Sequence, residues 1–185
     1  ALGEVDPVDD PVVAGLLHER YGRYLWMLGR SWAEILEHCH EAVRLVPVEP
    51  RAARAKVLAT LGQQLMLAAR GAEAISVCRE AIAVAQDAGE RVIEGHARNS
   101  LGTALGGMGR LDEGLAELHR AREIALETES WADVARAADL SGITFWIFHG
   151  GADTVVAPEL SRQMAQALQH DTARGDRDRI RPESR

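Results

Sequence analysis

A spacing of forty residues constrains this chain more than any other feature of its sequence. It separates Gly22, Gly62 and Gly102, and likewise Arg30, Arg70 and Arg110, with Leu25, Leu65 and Leu105 three residues after each glycine. A small residue precedes each arginine, as Gly29, Ala69 and Gly109. Ala42, Ala81 and Ala121 follow in the same order, the first set displaced by one residue inserted after Arg30. A period of this length marks stacked supersecondary units, each burying its apolar side against a neighbour, rather than a globule around one enclosed core.

The units are expected to be helix pairs. Aromatics make up only 4% of the 185 residues and much of the apolar content is Ala and Leu, which suits closely packed helices better than a β-sandwich. Pro11, after the possible caps Asp9 and Asp10, starts a first helix running to about Leu28. Its positions Leu16, Leu17, Tyr21, Tyr24, Leu25 and Leu28 recur at three and four, the spacing of a buried stripe. Gly29 closes it and Ser31 caps a partner carrying Ile35, Leu36, Cys39, Ala42 and Val43, which ends before Pro47 and Pro50. The second unit repeats this with Leu58, Leu61 and Leu65, then Ala74, Ile75, Cys78, Ala81 and Ile82, and Gly89 as a stop. The third has Ala97, Leu101 and Leu105, then Leu111, Leu115, Leu118, Ala121 and Ala125, with Asp112 and Glu113 at the positive end of the last helix dipole. Glycine inside a helix costs about 1 kcal/mol against alanine, so Gly22, Gly62 and Gly102 are expected where the partner helix approaches the backbone closely.

Four segments follow: an acidic extension over 1–10, three helix pairs and the start of a fourth over 11–140, an ambiguous stretch over 141–170, and a tail over 171–185. The tail alternates arginine and acid with no apolar period and reads as disordered. A net charge of -7 argues against a broad nucleic-acid surface. The absence of a long apolar run and of a signal-like start leads to the expectation of a soluble, cytoplasmic protein. Cys39 and Cys78 occupy matching places where a small apolar side chain is wanted.

Leu61-Gly62 with Leu65, Ala74 and Ala81 resembles the tetratricopeptide repeat, as does Leu101-Gly102 with Leu105, Gly114 and Ala121; Tyr21-Gly22 with Leu25 and Ala42 is a looser copy. The period of forty exceeds the usual thirty-four of that repeat. Such long units, with the stretches RYGRYLWMLGR and ARNSLGTALGGMGRLDEGLAEL, resemble the repeat region of large bacterial ATP-binding transcription regulators of the LuxR type. The resemblance covers residues 11 to about 140 and implies an all-α fold, an α-solenoid of antiparallel helix pairs. It also implies a non-catalytic scaffold that receives a protein or peptide partner, or a small-molecule inducer, with no cofactor, and possible homo-oligomers. Neither the ATP-binding loop nor a DNA-recognition helix pair of such regulators is found in this sequence.

In stacked pairs the first helices line a concave wall. The resemblance places Glu19, Arg23 and Trp26, then Lys56, Gln63 and Met66, then His96, Asn99 and Thr103, and finally Arg136 and Asp139 on it. Such a mixture of polar, cationic and apolar side chains suits a peptide or a small polar ligand, though a solvated helix face carries the same residues.

Gly142 and Phe145 keep the register of the repeat, so a fourth pair is expected, with helices over about 131–148 and from Pro158 onward. The run 144–156 also resembles the strand of α/β-hydrolases that delivers the acid of a catalytic triad, with Asp153 as the acid, over residues 144 to about 169. No Gly-x-Ser-x-Gly elbow accompanies it, and His170 has no serine partner, so catalysis is not expected. His38, Cys39 and His40 are consecutive, and on a helix their side chains diverge, so no metal site is expected from them.

Overall fold

The computed structural model describes residues 5–130 and Asp133. The described chain is all-helical, with six helices and no strand: α1 Pro11–Met27, α2 Trp32–Leu45, α3 Arg51–Leu67, α4 Gly71–Ala88, α5 Arg91–Gly107 and α6 Leu111–Glu127. They pack as three successive pairs, α1 with α2, α3 with α4 and α5 with α6; α3 also lies against α1 and α2, and α5 against α3 and α4. The fourth pair, the hydrolase-like stretch over 144–169 and the tail fall outside the described residues. No described helix is long and apolar enough to cross a membrane.

The forty-residue pattern is largely a pattern of helix ends. Leu25, Leu65 and Leu105 each accept, through their carbonyls, the backbone N–H of Arg30, Arg70 and Arg110 at 2.9 Å. This is the long-range bond of a Schellman cap, and it requires a left-handed residue just before the arginine. Gly29, Ala69 and Gly109 supply it with φ of 66, 59 and 79°. The arginine side chains then pair with Glu34, Glu73 and Glu113 in the first turn of the following helix. Each odd helix is thereby tied to its partner by backbone and side chain together.

The residue inserted after Arg30 is a cap. Ser31 accepts from the Glu34 N–H while the Glu34 carboxylate accepts from the Ser31 N–H, a complete capping box. Arg70 and Arg110 stand at the same place before α4 and α6 and make no side-chain cap. At α1, Asp10 accepts from the Val13 N–H at 3.0 Å behind Pro11.

Close approach explains the glycines. A Cβ on Gly22 would lie 3.0 Å from Cys39 Sγ, one on Gly62 2.5 Å from Cys78 Sγ, and one on Gly102 2.7 Å from Leu118 Cγ and 2.8 Å from the Gly114 carbonyl. The two cysteines are therefore knobs packed on glycine holes. Burial pushes both thiols up to about 12, with Glu19 adding to the rise at Cys39, so both remain protonated and inert near neutral pH.

The core runs through all three pairs, from Leu25, Ile35 and Leu36 through Leu58, Leu65 and Ile75 to Leu101 and Leu105. One expectation needs correcting. Leu25 is buried on α1, but Tyr21, Tyr24 and Leu28 are exposed, and Leu16 and Leu17 are only half-buried. Their counterparts one repeat on are mostly more enclosed: Leu61, Gln64 and Val57 are buried and Ala68 is half-buried, with Val57 packed against Ala42 and Val46 of the preceding pair, while Lys56, the counterpart of Leu16, stays exposed.

Candidate functional site

The odd helices meet at a small cluster of charge. Glu19 on α1 is 2% exposed, and its Oε1 accepts from the Thr60 hydroxyl of α3 at 2.8 Å. Arg23 stands 3.7 Å from the same carboxylate and Lys56 of α3 stands 4.0 Å from it. A buried carboxylate is costly unless it is paired and hydrogen-bonded, and here Thr60 fixes it while two half-exposed cations share its charge. Both contacts to the cations are long. Two positive side chains over one carboxylate leave the outer rim of this cluster net positive, in a chain that is acidic as a whole.

The other residues assigned to the wall occupy varied environments. Trp26 is exposed; Gln63 and Met66 are half-buried, and Met66 packs against the core. His96 lies with its Nδ1 3.5 Å from the Asp133 carboxylate. Asn99 is 2% exposed, with its side-chain Nδ2 left without a hydrogen-bond partner. Thr103 donates its hydroxyl to the Asn99 carbonyl at 3.0 Å. Glu19 and Asn99 are thus enclosed rather than open lining, whereas Arg23, Trp26 and Lys56 reach solvent. Arg136 and Asp139 lie outside the described residues. Gln64, one turn beyond Thr60, is also buried with its Oε1 unpartnered.

Three features escaped the sequence reading. A network centred on buried Glu94 and Arg98 joins the last three helices: Arg98 donates to Glu94 and to Glu117, while Glu94 also receives Gln86 and Arg91, and exposed Arg91 continues to Glu127. Burial alone would raise the Glu94 carboxyl, but the bonds from Gln86, Arg98 and Arg91 outweigh it and hold the group below its ordinary value. The signal was present in the spacings of Arg91, Glu94 and Arg98 at three and four. The second feature is a histidine pair across α1 and α2, His18 Nδ1 to His38 Nδ1 at 2.9 Å, in which one ring donates and the other accepts. Burial, then the neighbouring His38, lowers the His18 pKa. The third is a pocket of about 400 Å³ beside that pair, between α1 and α2.

The run His38, Cys39 and His40 diverges as the helix requires: His38 turns to His18, Cys39 is buried on Gly22, and His40 is exposed. No group of three or more metal-ligating side chains converges among the described residues. The described residues form an all-helical arrangement of packed helix pairs, with a polar, cation-rimmed seam between α1 and α3. No protein-family model matches the chain, and no curated protein matches it.

Proposed function

We propose that this chain is a non-catalytic interaction scaffold, an α-solenoid of tetratricopeptide-like pairs. Its odd helices receive a protein or peptide partner. The observation that carries the reading is the seam itself. Arg23 and Lys56 present two cations around a buried, Thr60-anchored carboxylate, with Trp26 exposed on the next turn of α1. Half-exposed cations over a buried carboxylate, beside an exposed indole, suit a partner that brings an acidic or amide group together with an apolar one. The sequence resemblance to the repeat region of bacterial LuxR-type regulators supports reading such a scaffold as a signal receiver, with the partner or inducer acting through it.

The test is positional crosslinking. A photoreactive residue at Gln63 should capture a partner protein in bacterial lysate, one at exposed Arg122 on α6 should not, and Trp26→Ala should reduce capture severalfold. Equal capture from both positions would contradict the reading.

A further inference from the structure

The first pair carries a second surface, on the side of α1 opposite to Glu19 and Arg23. At 3.6 residues per turn, Tyr21, Tyr24 and Leu28 share one face of α1, and they are 43, 55 and 73% exposed. The equivalent positions of α3, Leu61, Gln64 and Ala68, are buried or half-buried, so a covered version of this face exists forty residues away. The pocket of about 400 Å³ opens on the same face. Leu25 and Leu28 give it apolar lining. The rings of Tyr21 and His38, in edge contact with centroids 4.7 Å apart, form a wall that the His18–His38 hydrogen bond holds in place.

The charges at the rim decide what fits. Arg30 is taken up by Glu34 at 3.0 Å, and Glu34 is also engaged by the Ser31 N–H and hydroxyl. Glu37 makes no ion pair among the described residues, so it is the uncompensated charge of the pocket, and it is negative. The volume lies at the low end of ligand-sized pockets, which span roughly 300–1,000 Å³. It suits one long side chain rather than a folded segment.

We propose that this pocket receives the side chain of an arginine or lysine carried by an amphipathic helix of a partner protein. The apolar stripe of that helix lies over Tyr21, Tyr24 and Leu28. The methylene stem of such a residue packs on Leu25 and Leu28, its cation meets the ring of Tyr21, and the Glu37 carboxylate accepts its N–H groups. An acidic side chain would face Glu37 directly and is excluded. This surface is separate from the seam between α1 and α3, and neither depends on the other.

The experiment is a selection from displayed amphipathic helical peptides against the full chain and against its Glu37→Arg variant. Glu37 is exposed, and thermal unfolding followed by circular dichroism verifies that the variant keeps its fold. Peptides selected on the natural chain should carry Arg or Lys at one position, with apolar residues three and four away. They should bind at least tenfold more weakly to Glu37→Arg and to Tyr24→Asp. Selected peptides without a basic position, peptides that bind Glu37→Arg equally well, or no selectable binder would each overturn the proposal. So would sedimentation showing that the chain pairs with a second copy through this face, dispersed by Tyr24→Asp.

Discussion

Helices α1 and α3 are built to one plan and end in different surroundings. Both run for 17 residues, both carry the glycine that admits a partner helix, and both close with a Leu carbonyl bonded to an Arg N–H. On α3, Val57, Leu58, Ala59, Thr60, Leu61, Gln64 and Leu65 are all buried, so the helix is covered on nearly every side. On α1 only Ala14, Gly15, Glu19, Gly22 and Leu25 are buried, and aromatic residues stand where α3 has Leu61 and Gln64. Position in the stack, more than local sequence, therefore sets how much each residue contributes to stability. The contact between pairs is also where the seam forms, because Glu19 of one pair needs Thr60 and Lys56 of the next.

Truncation should separate the two helices most sharply. Leu65→Ala removes a buried side chain and is expected to cost about 2–5 kcal/mol, while Tyr24→Ala at a neighbouring place in the repeat should change stability by about 0.5 kcal/mol or less, both read by urea unfolding. Comparable losses would mean that the open face of α1 is covered in solution. The glycine contacts come next. At Gly102 a Cβ meets the Gly114 backbone oxygen at 2.8 Å, so Gly102→Ala should lose about 1–3 kcal/mol even though alanine is the better helix former. Gly22→Ala, where the nearest atom is Cys39 Sγ at 3.0 Å, should lose less.

Smaller effects sharpen the comparison at the helix ends. Ser31→Ala removes the side-chain cap found in the first pair and not at α4 or α6, and should cost about 1 kcal/mol in chemical unfolding. Ala69 holds the left-handed position that glycine holds in the other two pairs, so Ala69→Gly should stabilise by about 0.5–1 kcal/mol, raising the thermal midpoint. Last is pH. His18 has a folded pKa below its ordinary 6.5, so the unfolded chain takes up its proton first, and the first pair loses stability as pH falls below about 6.5. Glu94 also has a lowered pKa, from 4.5, so its contribution is complete above that value and is lost as pH falls through the lower folded value. Acid titration with signals from His18 and Glu94 should show the first pair loosening before the third; simultaneous loss would show that the pairs unfold as one unit.

Most of the helix layout was legible because its signals are local. Pro11, Ser31, the Leu-to-Arg ends and Gly89 act within a few residues: α1 starts at Pro11 and ends at Met27, one residue short of the expected Leu28, α2 ends before Pro47 and α4 stops at Gly89. The glycine holes were legible from the cost of glycine in a helix, and the cysteines from their matching places in the repeat. The exposure of Tyr21, Tyr24 and Leu28 was not, since periodicity marks which face is apolar and says nothing of whether a neighbour covers it. The seam was half legible. The resemblance placed Glu19, Arg23 and Lys56 on the wall of the first helices, but the burial of Glu19 depends on Thr60, whose partner is 41 residues away. The His18–His38 pair also spans two helices, at a separation that no motif encodes.

Amide hydrogen exchange across residues 11–130 of the full chain tests the stacking of pairs on pairs most directly. Slow exchange along the whole of α3 and α5, with α1 opening first from Tyr21 to Leu28, is the predicted result. Protection of α1 equal to that of α3, or rapid exchange in α3, would contradict it.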